Sequence, residues 1–173
     1  MMMTNRGLSF LIALTVTLFC AEVSAQVSLK SGAKVNTLAL GSTYEAVIAK
    51  FGKPKGEKDH KCIHGKAKGL EYDGLTVNFN LMQEGDPVAV VTGFEVKSPA
   101  WDVMGIKVGD PESKVKLKFG KHDEEALSTD GKTKGLYYLM KSADPIGNTA
   151  FSVKEGKIVG IRSLYIILCE TKP

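Results

Sequence analysis

Leu40-Gly41-Ser42-Thr43-Tyr44-Glu45-Ala46-Val47-Ile48-Ala49-Lys50-Phe51-Gly52-Lys53 recurs as Val108-Gly109-Asp110-Pro111-Glu112-Ser113-Lys114-Val115-Lys116-Leu117-Lys118-Phe119-Gly120-Lys121. The pairs Gly41/Gly109, Val47/Val115, Phe51/Phe119 and Gly52/Gly120 are each 68 residues apart. Downstream, Gly69-Leu70-Glu71-Tyr72 echoes Gly135-Leu136-Tyr137-Tyr138, Glu84-Gly85 echoes Glu155-Gly156, and Val91-Thr92-Gly93-Phe94 echoes Val159-Gly160-Ile161. Single matches of Gly or Val are common, but ordered matches across a whole module are not. The offset drifts where loops differ in length, as surface insertions do.

Each copy opens with a short helix. In the first, Ser42 is placed to cap, with Glu45 three residues on as a capping box. Tyr44, Val47, Ile48 and Phe51 then fall at i, i+3, i+4 and i+7 and make one apolar stripe. Gly52 supplies the stop and Pro54 prevents continuation. In the second copy Asp110 is the expected cap, Pro111 stands at the first helical position, and Gly120 ends the helix. The second stripe is thinner: Val115 and Phe119 carry it, and Leu117 is out of phase.

Period-two alternation follows in both copies. Leu75, Val77, Phe79 and Leu81 are separated by Thr76, Asn78 and Asn80, which reads as a half-buried antiparallel strand. Val88, Val90, Thr92, Phe94 and Val96 form its partner across the turn Gln83-Glu84-Gly85-Asp86, and Lys68 to Tyr72 adds a third strand. The second copy supplies Gly135 to Lys141, Asn148 to Lys154 and Lys157 to Cys169. A phase change near Arg162 and Ser163 suggests a bulge there. The expected class is α+β: two tandem helix–β-meander modules, each with a short helix packed on a three-stranded or larger antiparallel sheet.

The chain has 173 residues, 43% apolar and 24% charged, which excludes a disordered tail. Its 23 Lys and Arg against 19 Asp and Glu give a net charge of +4, too small for a dedicated nucleic-acid binder. Residues 1–25 read as a signal peptide: Arg6 is the positive n-region, Leu8 to Phe19 the apolar core, and Val23-Ser24-Ala25 the small-x-small cleavage site. Phe19 directly before Cys20 argues against lipidation. The expected products are a 26–37 N-terminal extension, a first module at 38–97, a linker at 98–105 and a second module at 106–173. The protein is then periplasmic or secreted after cleavage near Ala25. Loss of Cys20 leaves Cys62 and Cys169, an even pair that argues for one disulfide in an exported chain. Such a bond closes a loop of about 100 residues and is worth ~4–5 kcal/mol in the chain-entropy model. Two buried free thiols are the alternative.

The run Leu40-Gly41-Ser42-Thr43, Val47 and Phe51-Gly52-Lys53-Pro54, followed by a three-stranded meander, resembles the SmpA/OmlA (BamE-like) modules of outer-membrane assembly. Their tandem doubling in an exported chain is similar in layout to the β-lactamase inhibitory protein. The resemblance covers most of residues 38 to 169. It implies a small α+β scaffold that presents a sheet face or loops to another protein. The chain departs from the first pattern in lacking a lipidation cysteine after a suitable signal, and from the second in cysteine placement. No functional residue is carried across.

Three chemistries compete. His60-Lys61-Cys62-Ile63-His64, if extended, projects His60, Cys62 and His64 to one face, a donor set suited to zinc or copper. A disulfide at Cys62 removes that thiolate, and Lys58, Lys61 and Lys66 oppose a cation, so no metal or cofactor is expected. A small secreted hydrolase is a second alternative, but there is no Gly-x-Ser-x-Gly elbow, and the carboxylates Asp123, Glu124 and Glu125 read as a solvated loop. The favoured function is non-enzymatic binding of another envelope or extracellular protein. Residues 50 to 68 carry seven lysines in an expected loop, with Lys55, Lys58 and Lys61 as contacts for an acidic partner and weak contacts for anionic lipid. Trp101 and Tyr137 are the aromatic anchors, with Tyr138 and Tyr165 behind them. No aromatic separates Phe51 from Tyr72, which leaves nothing for single-stranded nucleic acid to stack on.

Overall fold

Alternating side chains build one broad sheet. The computed structural model describes residues 27–29, 32–62, 65–81, 88–141 and 146–165, with the side chains of 60–62 and 65–66 left aside. In chain order the elements are β1 (Lys34–Val35), β2 (Leu38–Ala39), α1 (Tyr44–Phe51), β3 (Gly56–Cys62), β4 (Gly65–Tyr72), β5 (Leu75–Asn80) and β6 (Val90–Val96). They continue with α2 (Glu112–Phe119), β7 (Glu124–Leu127), β8 (Lys134–Leu139), β9 (Gly147–Lys154) and β10 (Lys157–Tyr165). β1 and β2 pair with each other, and the other eight strands form a single antiparallel sheet in the order β3-β4-β5-β6-β10-β9-β8-β7.

This corrects the expected class. Strands hold 48% of the described residues and helices 13%, so the protein is mostly β rather than α+β. There are not two separate helix–meander modules but one continuous sheet. Each half ends on a strand with an open edge, β6 or β10. Those edges pair with each other, Glu95 opposite Arg162 and Val96 opposite Ile161, so the backbone groups of both find partners. Each half also holds a fourth strand that hydrophobic alternation does not reveal. β3 and β7 are polar edge strands, and all four residues of β7 are exposed.

The repeated positions nonetheless have matching surroundings. Gly41 and Gly109 both take positive φ, 82° and 94°, where an L side chain is strained. Their amides donate to Val91 and Ile158 at 2.8 and 2.7 Å, and the amides of Val91 and Ile158 donate back to Ser42 and Asp110, both at 2.8 Å. Val35 pairs with Leu38, Val103 bridges Ile106 at the same 68-residue offset, and Val35 bridges Val103. An approximate two-fold axis therefore runs from the Val35–Val103 bridge to the Glu95–Arg162 pair.

Each helix begins one residue later than the sequence suggests. The Ser42 carbonyl is bound to Val91, and Thr43 still bridges Val90, so Thr43 becomes the cap and accepts from the Ala46 amide at 3.3 Å. In the second half Pro111 takes the cap position without a side-chain hydrogen bond. The Asp110 carboxylate instead accepts from the Lys107 amide and the Lys114 ammonium, both at 2.8 Å. Val47 in α1 and Val115 and Phe119 in α2 are buried, and Leu117 faces solvent as its phase suggests.

Both helices lie on the same sheet face, over Leu70, Val77, Phe94, Leu136 and Phe151, all buried. Two polar side chains in this core satisfy one another: the Thr149 and Ser163 hydroxyls are 2.9 Å apart, and Ser163 also accepts from the Ala33 amide at 3.3 Å. The bulge of β10 lies between Ile158 and Gly160, not at Arg162 and Ser163. Ile158 and Ile161 can thus both be buried although three positions apart. A matching irregularity falls between Asn78 and Phe79 where β5 meets β6.

Candidate functional site

The opposite sheet face carries no helix among the described residues. One registered row crosses all eight strands on that side: Gly56, Glu71, Thr76, Glu95, Arg162, Ala150, Tyr137 and Glu124. At the usual strand spacing it is roughly 34 Å long. Near its middle lies an open depression of about 500 Å³, lined among others by Glu95, Lys97, Tyr137, Ala150, Ser152 and Arg162. Small neighbours make it. Ala150 and Gly160 leave the floor low, and Gly135 lets the Tyr137 ring lie along the sheet, because a Cβ there would sit 2.6 Å from Tyr137 Cε2.

The electrostatics of this depression are asymmetric. Glu95 and Arg162 face each other across the two-fold, yet Glu95 pairs with Lys97 on its own strand at 3.0 Å. Arg162 is exposed and forms no ion pair with any described residue. Sequence reasoning missed it as a site residue and treated it only as a break in phase. The available clue was a lone arginine following the largely apolar run Ile158-Val159-Gly160-Ile161.

The expected contact residues fall in different places. Tyr137 lies on the open face. Trp101 does not: its indole N–H donates to the Asp73 carbonyl at 2.6 Å, and its ring packs edge-on against Phe51 and Tyr72 with centroids 5.0 and 6.1 Å away. Tyr138 is buried beneath α2 and donates to the Gly120 carbonyl at 3.0 Å, and Tyr165 is half-buried against the core.

The basic segment is not a loop, since Gly56 to Cys62 form β3. Lys55 binds Asp73 at 2.6 Å, Lys58 binds Glu71, and Lys68 binds Glu57 at 2.7 Å. Lys55, Lys58 and Lys68 therefore each stand against a carboxylate along this edge hairpin. By register Lys58 shares the open face with Tyr137, six strand spacings or about 29 Å away. The backbone of Lys61 pairs with Lys66 in the same hairpin.

The side chains of Lys61, His60, Cys62 and His64, and the whole of Cys20 and Cys169, lie outside the described residues. So the expected metal set, the expected Cys62–Cys169 disulfide and the expected signal peptide at 1–25 fall outside the described residues as well. Among the described residues no group of three His, Cys, Asp or Glu side chains could hold a metal, and no helix is long and apolar enough to cross a membrane.

Asp123 and its neighbours are likewise structural in placement rather than a free loop. Asp123 accepts from the Leu139 amide at 2.9 Å and binds Lys141. The Lys141 ammonium and that amide hold its carboxyl below the usual range. Glu124 projects from the β7 edge, and Glu125 lies 3.3 Å from His122 Nε2. His122 Nδ1 is buried with no hydrogen-bond partner among the described residues.

Fold and site together define a mostly-β protein with one helix-covered and one open sheet face. No family model matches the chain, and no curated protein matches it. It is the single eight-stranded sheet that overturns the resemblance to tandem BamE-like modules. Among solved structures, the chain is similar to an extracellular protein containing a SCP domain from Bacillus anthracis str. Ames, known at 1.5 Å. The TM-score is 0.46 and the identity 14%, over 96% of this chain and 50% of that one, so the chain spans half that structure's length.

Proposed function

We propose that the protein is an exported, non-enzymatic binding module that holds another protein on its open sheet face. The observation that carries this reading is the depression around Tyr137 and Arg162. Tyrosine and arginine dominate binding energy at protein interfaces, and both stand here on a rigid, helix-backed sheet. A pre-formed surface loses little ordering entropy on association. Export, to the periplasm or beyond with cleavage near Ala25, rests on the charged, apolar and small-residue segments of residues 1–25. The partner is a protein of the cell envelope or its surroundings.

A photoreactive side chain replacing Tyr137, used in the native envelope or culture fluid, tests the reading. The expected result is one dominant cross-linked protein from position 137 and none from the same group at Leu117, which is 76% exposed on the helix side. Equal products from both positions, or none from 137, would overturn it.

A further inference from the structure

The charge on the open face selects the chemistry of its partner. Of the charged residues lining the depression, Lys97 and Arg162 are cationic and Glu95 is anionic. Glu95 and Lys97 pair at 3.0 Å, while the Arg162 guanidinium forms no ion pair with any described residue, so two cations stand against one anion in the lining. Arg162 stands near the centre of the face, opposite the small side chain of Ala150, and Tyr137 lines the same depression two strands away on the far side of Ala150. A planar guanidinium offers two parallel N–H donors that match a carboxylate.

Resting on the reading of this face as a protein-binding surface, we infer that the partner is an acidic protein segment whose Asp or Glu carboxylate docks on Arg162 against Tyr137. The whole chain carries a net charge of +4, so long-range attraction favours the same class of partner. Lys55 and Lys58 are not the anchor, because they already hold Asp73 and Glu71.

Two peptide probes, hexaglutamate and hexalysine, are titrated into the ¹⁵N-labelled protein. Hexaglutamate is expected to move the amides of Tyr137, Ala150 and Arg162 first, and hexalysine to leave them in place. Arg162→Ala should weaken hexaglutamate binding at least tenfold, and Arg162→Lys should retain part of it. Because Arg162 is exposed, an unchanged amide spectrum elsewhere will show that the variants fold. Shifts centred on Lys55 and Lys58, or equal affinity in Arg162→Ala, would overturn the inference.

The two readings fail separately. If the photo-cross-link at position 137 persists undiminished in Arg162→Glu, the face binds a protein but not through a carboxylate. If hexaglutamate binds at Arg162 while no protein is cross-linked, the anion site stands and the protein-binding reading falls.

Discussion

The two halves solve the same packing problem with different side chains. Under α2, Phe119 meets Tyr138 and Phe151 at 5.9 and 5.6 Å, and Phe151 is a fully buried sheet residue. Under α1, the position of Phe151 is taken by the smaller Val77. The third ring of the cluster is Trp101, supplied by the connecting segment and only half-buried. Tyr72 and Tyr138 keep one role in both halves, donating to the Gly52 and Gly120 carbonyls that close the helices. One half thus closes its core from within the sheet and the other by folding the connection over it.

The polar networks beside the helices diverge in the same way. In the first half Glu57 accepts from Tyr44 at 3.2 Å and from Lys68 at 2.7 Å. In the second, Glu112 replaces Tyr44, with Lys116 at 2.6 Å and Lys134 at 2.8 Å. A side-chain cap starts α1. α2 lacks one, and the i,i+4 pairs Lys114–Asp110 and Lys116–Glu112 brace it instead. The start of α2 therefore depends more on charge than that of α1.

The aromatic contrast predicts the largest effect. Phe151→Ala should cost about 3–5 kcal/mol, since it opens a cavity under α2. Trp101→Ala should cost less, about 2–3 kcal/mol, because part of the ring is already in water. Urea unfolding of both variants checks the order, and a larger loss at Trp101 would mean that the connection, not the sheet, holds the core.

A smaller effect separates the tyrosines. Burial pushes the Tyr138 hydroxyl up to about 12, from an ordinary 10.0, with the nearby Asp123 and Glu112 charges adding to it. Burial also raises Tyr72, the larger cause there. A folded value above the unfolded one means stability that is complete below pH 10 and declines as pH rises towards 12. Tyr138→Phe should remove that decline in part and cost about 1 kcal/mol at neutral pH for the lost hydrogen bond. Thermal unfolding between neutral and strongly alkaline pH reads both, and an unchanged alkaline slope would reject the assignment.

Acid should reveal the smallest difference. In the second half, the Lys116 and Lys134 ammonium groups hold Glu112 low, Lys141 does so for Asp123, and the Ser128 hydroxyl for Asp130. Burial raises Asp110, but Lys114 and the Lys107 amide outweigh it. In the first half Glu57 is depressed, by Lys68. Depressed carboxyls contribute stability above their ordinary values and lose it as pH falls through the folded ones. Amides of β8 and β9 should therefore lose exchange protection before those of β4 and β5 as pH drops below about 4. Simultaneous loss would show that the sheet opens as one unit.

How much of this could be read beforehand depends on the length scale of the interaction. The helix stripe Tyr44–Val47–Ile48–Phe51, the stops at Gly52 and Gly120, and the strand alternation at Leu75–Val77–Phe79 depend on neighbours within one or two turns, and they stand as expected. The caps moved because Ser42 and Asp110 are bound to β6 and β10, which are distant in the chain. Polar edge strands escaped notice because β3 and β7 bury little, so no hydrophobic period marks them. Arg162 escaped for a related reason. Its importance comes from Glu95 turning away to Lys97 and from Tyr137 lying two strands off, neither of which is visible along the chain.

Local chemistry determined the duplicated unit, the two short helices, most strands and the segments that read as an export signal. These follow from spacing, capping and alternation, whose energies are set by residues close in sequence. Tertiary structure alone decided that the halves share one sheet and that Trp101 belongs to a core cluster. It alone placed an arginine with no ion pair among the described residues in the same depression as a tyrosine, near the middle of the open face. Strand pairing brings together backbone edges and charges separated by many tens of residues, and the partner each group takes depends on the competitors the fold puts within reach.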